Sequence, residues 1–203
     1  MRKIETTWHY ILNNALEKGE FKHTQQALAR HFGFSISTVH HALEVPESMG
    51  AIRKSGKFFV LENFQKLLYY WASVRNLEKD IIFSTFIDMP VREIESLVLP
   101  EAIFAGYSAY RLRFGEPASD YSKVYIYLDS SNKQDVLRRY DIEEGANKDR
   151  EPNLFVLKKS PHMEDYGKIT TIPQTFVDIW NMSDWYSGEF ISQLKEKMHG
   201  VLS

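Results

Sequence analysis

The sequence of 203 residues contains no cysteine. This absence excludes disulfide bonds, thiolate metal ligands and a cysteine nucleophile, and it fits a reducing compartment. The sequence also lacks a run of about 18 apolar residues, the length that a membrane-spanning helix needs. The first residues lead into an amphipathic pattern rather than a signal sequence. We therefore expect a cytoplasmic protein with no membrane partner.

An excess of charge of one sign is also missing, because the formal net charge is only −2. The charge is unevenly distributed, with +2 over residues 1–62, +1 over residues 63–80 and −5 over residues 81–203. A polyanionic partner would therefore contact the first segment alone. No Pro-, Gly- or Ser-rich linker separates the segments, and residues 63–80 carry an apolar stripe at helical spacing. We expect two domains joined stiffly by a connecting helix.

The most informative stretch is residues 24–61, which predicts two short helices around a tight turn, followed by a hairpin. An amphipathic helix over residues 4–18 precedes it. Thr24 is expected to cap the first short helix, and Gly33 tolerates the left-handed backbone that ends it. The side chains of this helix expected to face inward are Ala27, Leu28 and Phe32.

Ser35 is expected to cap the second short helix, and Pro46 is expected to kink it or end it early. The inward side chains predicted by helical spacing are Ile36, Val39 and Leu43. The outward side chains are Ser37, Thr38, His40, His41 and Glu44. Hydroxyls near a helix N-terminus suit phosphates and base edges, because the free N–H groups there favour an anion. This face is typical of a recognition helix in the DNA major groove.

A basic hairpin follows, with strands expected at residues 51–53 and 58–61. The cations at or near its tip are Arg53, Lys54 and Lys57. Each can neutralise a phosphate or enter the adjacent minor groove. Helix spacing, turn glycine and hairpin occur in the order of a winged helix-turn-helix. We therefore predict that residues 1–62 bind double-stranded DNA, and that tight binding requires a homodimer or two cooperating copies.

The adjacent His40 and His41 are the unusual members of the predicted recognition face. Neighbouring positions lie about 100° apart around a helix, so the two imidazoles are not placed to share one ligand. We expect groove-facing side chains rather than a metal site. Because histidine ordinarily titrates near pH 6.5, DNA binding is expected to tighten as the pH falls.

Residues 81–203 mix predicted strands and helices, which gives an α+β (mixed α/β) class. Helices are expected at residues 91–98, 108–114, 133–140, 173–180 and 188–199, and strands at residues 103–105, 123–128 and 154–157. Four segments of this chain resemble an archaeal branch of the AbiEi antitoxin family in their order and spacing. They are residues 67–72, 75–77, 104–112 and 172–181.

This resemblance covers nearly the whole chain and implies a transcriptional regulator of an abortive-infection toxin–antitoxin operon. Members of the family use an N-terminal winged-helix domain to bind and repress their own promoter, here expected to carry an inverted repeat. Their C-terminal domain counteracts a nucleotidyltransferase-like toxin and need not bind it directly. The resemblance therefore implies that residues 81–203 are an antitoxin-like domain and that the chain is not an enzyme.

The C-terminal half also resembles a minimal nucleotidyltransferase fold, in which a Gly-Ser helix start cradles a triphosphate and an Asp-x-Asp pair holds metal. Residues 106–108 supply the helix start, but the following strand, residues 124–129, lacks the metal pair. We therefore expect a catalytically incomplete relative without metal or cofactor. Two alternatives stay open. One is a transcription factor whose C-terminal domain senses a nucleotide or another small molecule, and the other is a nucleotidyltransferase that uses other carboxylates, such as Asp120 and Asp129.

Overall fold

The computed structural model describes residues 1–202 with the exception of residues 144, 146 and 148. The chain folds into a mixed α+β structure with two separate sheets. The helices are α1 (Lys3–Lys18), α2 (Gln25–Phe32), α3 (Ile36–Ser48), α4 (Phe64–Val74), α5 (Val91–Ser96), α6 (Gly106–Phe114), α7 (Lys133–Arg139), α8 (Ile172–Trp180), α9 (Ser187–Lys197) and α10 (His199–Leu202). The strands are β1 (Lys22–His23), β2 (Ile52–Ser55), β3 (Phe58–Leu61), β4 (Ile81–Thr85), β5 (Ile103–Ala105), β6 (Val124–Leu128) and β7 (Leu154–Lys158). Over these described residues, no helix is long and apolar enough to cross a membrane.

The first sheet is three-stranded and antiparallel, in the order β1–β3–β2. Strands β2 and β3 form a hairpin in which Ser55 pairs with Phe58, so that only Gly56 and Lys57 connect them. Gly56 has a φ of 60°, and a positive φ at the first position of a two-residue turn is what glycine favours in hairpins. The predicted hairpin is thereby confirmed, and β1 adds a third strand that the sequence pattern does not predict.

Helix α3 continues past Pro46 to Ser48, so the predicted early end of this helix is wrong. A proline has no N–H to donate to the carbonyl four residues earlier, which leaves the carbonyl of Ala42 without its usual helical donor. The indole Nε1 of the buried Trp8 donates to that oxygen at 2.6 Å. Because α1 satisfies the group that the proline leaves free, the helix does not need to end there.

Two side chains predicted to face inward point into solvent instead. Ile36 is 55% exposed, because it is the first residue of α3 and lies ahead of the turns that pack against α1 through Ala42. Ala27 of α2 is also exposed, and Ala29 takes the inward position. The buried face of α3 consists of Val39, Ala42, Leu43 and Pro46.

The second sheet has the order β4–β7–β6–β5, in which β6 and β7 are parallel and the two outer pairings are antiparallel. Strand β6 is buried along its entire length, because its alternate side chains enter two different apolar clusters. Tyr125 and Tyr127 pack with residues of α6, α8 and α9. Val124, Ile126 and Leu128 pack on the opposite face with residues of α5 and α7. The edge strand β4 is absent from the sequence prediction.

One apolar cluster runs through all three predicted segments of the chain. It contains Trp8 and Phe59 from residues 1–62, Trp71 from the connecting helix and Phe176 from the C-terminal half. Helix α4 contacts both α1 and α8. The predicted DNA-binding segment and the C-terminal half therefore share one core, with α4 as part of it.

Arg75, directly after α4, holds a buried polar network at this junction. Its guanidinium lies 2.7 Å from Asp80 and 3.4 Å from Glu5 of α1. It also donates to the hydroxyl of Tyr127 at 3.1 Å, and that hydroxyl donates to the carboxylate of Asp178 at 2.9 Å. Burial raises the pKa of Asp178 to about 6, against the opposing effect of the nearby Arg75. The network joins α1, α4, β6 and α8.

Candidate nucleic-acid interface

The predicted recognition surface consists of the turn between α2 and α3 and the first half of α3. Thr24 caps α2 by accepting the N–H of Ala27 at 3.0 Å. Ser35 caps α3 by accepting the N–H of Thr38 at 3.1 Å. Gly33 ends α2 with a φ of 62°. Both predicted caps and the turn glycine are confirmed, and they determine which side chains lie in the first turn of α3.

Three hydroxyl groups gather at the N-terminus of α3. The Oγ of Ser35 lies 2.9 Å from the Oγ of Ser37 and 2.8 Å from the Oγ1 of Thr38. Ser35 and Ser37 are exposed, and Thr38 is half-buried. At this end of a helix the backbone N–H groups and the helix dipole favour an anion. The cluster therefore offers donors to a phosphate oxygen or a base edge.

The two histidines of α3 are exposed, and both face Glu44. The Nδ1 of His41 is hydrogen bonded to Glu44 at 2.6 Å, and the Nε2 of His40 lies 3.8 Å from the other carboxylate oxygen. The hydrogen bond with His41 holds the pKa of Glu44 below its ordinary value. The lowered pKa favours the anionic form of Glu44, a charge that would oppose an approaching phosphate. Tighter binding at lower pH stays a prediction, with Glu44 as the charge that protonated histidines would neutralise.

The three hairpin cations differ in how free they are to bind a polyanion. Lys54 forms an ion pair of 2.5 Å with Glu47 of α3, and its side chain is only 21% exposed. Arg53 lies 2.7 Å from Glu62, but its side chain is 62% exposed. Lys57 is exposed in the hairpin turn, and the described part of the chain shows no ion pair for it. Arg53 and Lys57 are therefore placed to contact phosphates, whereas Lys54 ties the hairpin to α3.

Two exposed apolar side chains lie near these polar groups, and the sequence pattern predicts neither of them to be exposed. Ile36 follows the Ser35 cap directly, and Phe58 begins β3 with 44% of its surface exposed. The ammonium group of Lys22 lies 4.0 Å from the centre of the Phe58 ring. The position of Ile36 immediately after a helix cap is the only sequence signal for its exposure, because helical spacing alone assigns it to the buried face.

The Gly-Ser helix start of the C-terminal half is covered. Gly106 begins α6 with a φ of 54°, and a Cβ at that position would lie 2.7 Å from the Cε of Met182. Ser108 is fully buried. Met182 therefore packs directly against Gly106, on the side from which a Cβ would project.

The carboxylates considered for catalysis are dispersed. Asp129, after β6, lies 2.8 Å from the ammonium group of Lys159, and Asp120 is exposed in a loop. Among the residues that the structure describes, no group of three or more His, Asp or Glu side chains is arranged to hold a metal ion. Asp129 therefore forms a surface ion pair, and Asp120 is an exposed loop residue.

A cavity of about 420 Å³ lies against β4 and α7 in the C-terminal half. Its wall includes the ring of Phe83 and the side chains of Lys133 and Arg150. The ammonium group of Lys133 lies 5.8 Å from the centre of the Phe83 ring, and the guanidinium of Arg150 lies 3.6 Å from the centre of the Phe86 ring. An aromatic ring beside two cations suits an anionic ligand with a planar group.

Comparisons of the chain with protein-family models, with curated proteins and with solved structures give no match. The resemblance of four sequence segments to the AbiEi family is therefore supported by those segments alone.

Proposed function

We propose that this chain is a DNA-binding transcription regulator and that residues 1–62 form a winged helix-turn-helix. One observation carries the proposal. The hydroxyl-rich N-terminus of α3 is exposed, and α3 is joined to the basic hairpin by the ion pair between Lys54 and Glu47. A recognition helix and a basic wing in a fixed arrangement are what this class of module uses to bind a duplex.

In this proposal the first turn of α3 enters the major groove, and the hairpin follows the DNA backbone. The groove-facing side chains are Ser35, Ser37, Thr38, His40 and His41. Arg53 and Lys57 contact phosphates or the adjacent minor groove, and Lys54 orients the hairpin. Thr24 places the N-terminus of α2 where its free N–H groups can meet a phosphate.

A single copy of this module carries little attraction for DNA. Residues 1–62 have a net charge of only +2, and Glu44 remains anionic on the exposed face of α3. We therefore propose that two copies bind an inverted repeat, each using one half-site. This arrangement doubles the number of phosphate contacts without requiring more charge per copy.

We further propose that the regulator is a cytoplasmic, autorepressing antitoxin of the AbiEi type. The order of its sequence segments supports this proposal, and its functional partner would be a nucleotidyltransferase-like toxin. The C-terminal half would be a nucleotidyltransferase-like fold without catalysis. The side chain of Met182 favours that interpretation, because it packs against Gly106 at the helix start where a triphosphate would have to approach.

A binding titration of the full chain tests the proposal, with the duplex upstream of its own gene and a scrambled duplex, each at several salt concentrations. We expect a preference for the upstream duplex. The double variant Arg53→Ala, Lys57→Ala should bind more weakly. Its slope of log affinity against log salt should be smaller by about 2 per bound copy, because each neutralised phosphate contributes about 0.9.

The matched control is the double variant Lys195→Ala, Lys197→Ala, which removes the same charge from α9 in the C-terminal half. It should leave both affinity and salt slope unchanged. Equal binding of the wild-type chain to the two duplexes would contradict a sequence-specific regulator. Equal losses in the hairpin and α9 variants would contradict the hairpin as the contact with phosphate.

The cavity beside β4 favours a second candidate, a transcription factor whose C-terminal half senses a nucleotide. Phe83 would stack on the base, and Arg150 would lie near the phosphates. Thermal unfolding of the full chain with and without ATP or AMP tests this candidate. A rise in Tm that is lost in Phe83→Ala would support it, and an unchanged Tm would exclude these two ligands.

A further inference from the structure

Ile36 is a large aliphatic side chain in an unusual place. It is the first residue of α3, it is 55% exposed, and its neighbours in the sequence are Ser35 and Ser37. Packing within this chain does not explain why a large apolar side chain stands at position 36, because the buried face of α3 begins at Val39. On a helix that enters the major groove, the first turn is the part that reaches base edges.

The rest of α3 narrows what this turn is able to recognise. The helix contains no arginine or lysine, so it lacks the side chains that make bidentate contacts with guanine. The hydroxyl of Ser35 is hydrogen bonded to the hydroxyls of Ser37 and Thr38, and Glu44 is engaged by His41. The exposed group at the N-terminus that needs an apolar partner is Ile36. In the major groove the apolar feature of a base pair is the 5-methyl group of thymine.

We propose that Ile36 determines sequence specificity by contacting the 5-methyl group of a thymine in each half-site. This inference rests on the proposed function, since it requires that α3 bind in the major groove. It predicts half-sites with a thymine under the first turn of α3.

The experiment removes only the methyl groups from the DNA. The upstream duplex is prepared with thymidine or with deoxyuridine in its place, and each is titrated with the wild-type full chain. Burying one methyl group contributes about 0.8 kcal/mol, which corresponds to about fourfold in affinity. We therefore expect a loss of about fourfold for one contacted methyl and roughly fifteenfold for a symmetric pair.

The variant Ile36→Ala should bind the thymidine duplex about as weakly as the wild type binds the deoxyuridine duplex, and it should not distinguish the two. The matched control is Val45→Ala, which truncates another exposed aliphatic side chain of α3, 45% exposed, but near its other end. This control should keep the full sensitivity to deoxyuridine. An unchanged Tm of both variants would show that the fold is intact.

The outcomes separate the inference from the function on which it rests. If the wild-type chain does not prefer the upstream duplex over a scrambled one, the proposed function fails. If it has that preference but binds the thymidine and deoxyuridine duplexes equally, the inference fails and the function stands. The inference also fails if Ile36→Ala is as sensitive to deoxyuridine as the wild type, because the methyl groups are then read elsewhere.

Discussion

The hydrogen bond from Trp8 to the Ala42 carbonyl should matter only because Pro46 is present. Trp8 is almost fully buried, and its Nε1 donates to that oxygen at 2.6 Å. The substitution Trp8→Phe keeps an aromatic ring and removes the N–H. It leaves the carbonyl without a donor, which costs about 1–3 kcal/mol for a buried polar group. The smaller ring adds a cavity cost.

A double-mutant cycle separates these two costs. In Pro46→Ala, residue 46 regains an N–H that donates to the Ala42 carbonyl within α3. In that background, the loss of stability caused by Trp8→Phe should come from the cavity alone. We expect the destabilisation by Trp8→Phe to be smaller by about 1–2 kcal/mol in the Pro46→Ala background than in the wild-type background.

Urea unfolding followed by far-UV circular dichroism measures all four free energies of unfolding, since fluorescence would change with the tryptophan itself. Equal destabilisation by Trp8→Phe in both backgrounds would refute the reasoning. The Ala42 carbonyl would then have another partner or tolerate having none, and a different contact would explain why α3 continues past Pro46.

The buried network around Arg75 gives two further predictions. Because burial raises the pKa of Asp178 to about 6, folding favours its protonated form, and this contribution to stability is present at pH 4 and lost as the pH rises through 6. The free energy of unfolding of Asp178→Asn, measured in urea, should therefore rise relative to that of the wild type by up to about 3 kcal/mol between pH 4 and pH 7. Parallel pH profiles of the two free energies would contradict this. Arg75→Ala should destabilise the chain by about 2–3 kcal/mol, because Tyr127 and the buried Asp178 lose the guanidinium group. Glu5 keeps its ion pair with Arg2, and Asp80 keeps the N-terminal ammonium group. An unchanged Tm would contradict this prediction.

Local signals in the sequence account for the elements that were predicted correctly. A cap such as Ser35 acts on an N–H three residues away, and the Gly56 turn joins adjacent strands. Strand β4 could not be found in this way, because the residues that pair with it in β7 lie 69 to 76 positions further along the chain and the pairing contains a register shift. The end of α3 was mispredicted for a similar reason, since the donor that replaces the missing N–H of Pro46 comes from α1.

The sequence predicts which residue types form the candidate site, but it does not predict their ion pairs or their exposure. Sequence spacing places three cations on the hairpin without showing that Glu47 and Glu62 approach two of them. Those carboxylates come from α3 and from the residue after β3, so the pairing depends on how the hairpin packs. Helical periodicity likewise places Ile36 on the buried face. Whether a first-turn residue is covered depends on the neighbouring elements, which periodicity does not describe.

About one turn of α1 connects the proposed recognition helix to the C-terminal half. Within it, Trp8 donates to the backbone of α3, Glu5 pairs with Arg75, and the Nε2 of His9 is hydrogen bonded to the Oγ1 of Thr171, the cap of α8, at 2.7 Å. Burial lowers the pKa of His9 to about 3, so this contact is made by a neutral imidazole. These three side chains lie at most four residues apart, and an α-helix has 3.6 residues per turn. A shift of α8 or of the Arg75 network would therefore move the same turn of α1 that holds α3, so an event in the C-terminal half has a direct structural route to the proposed DNA-binding face.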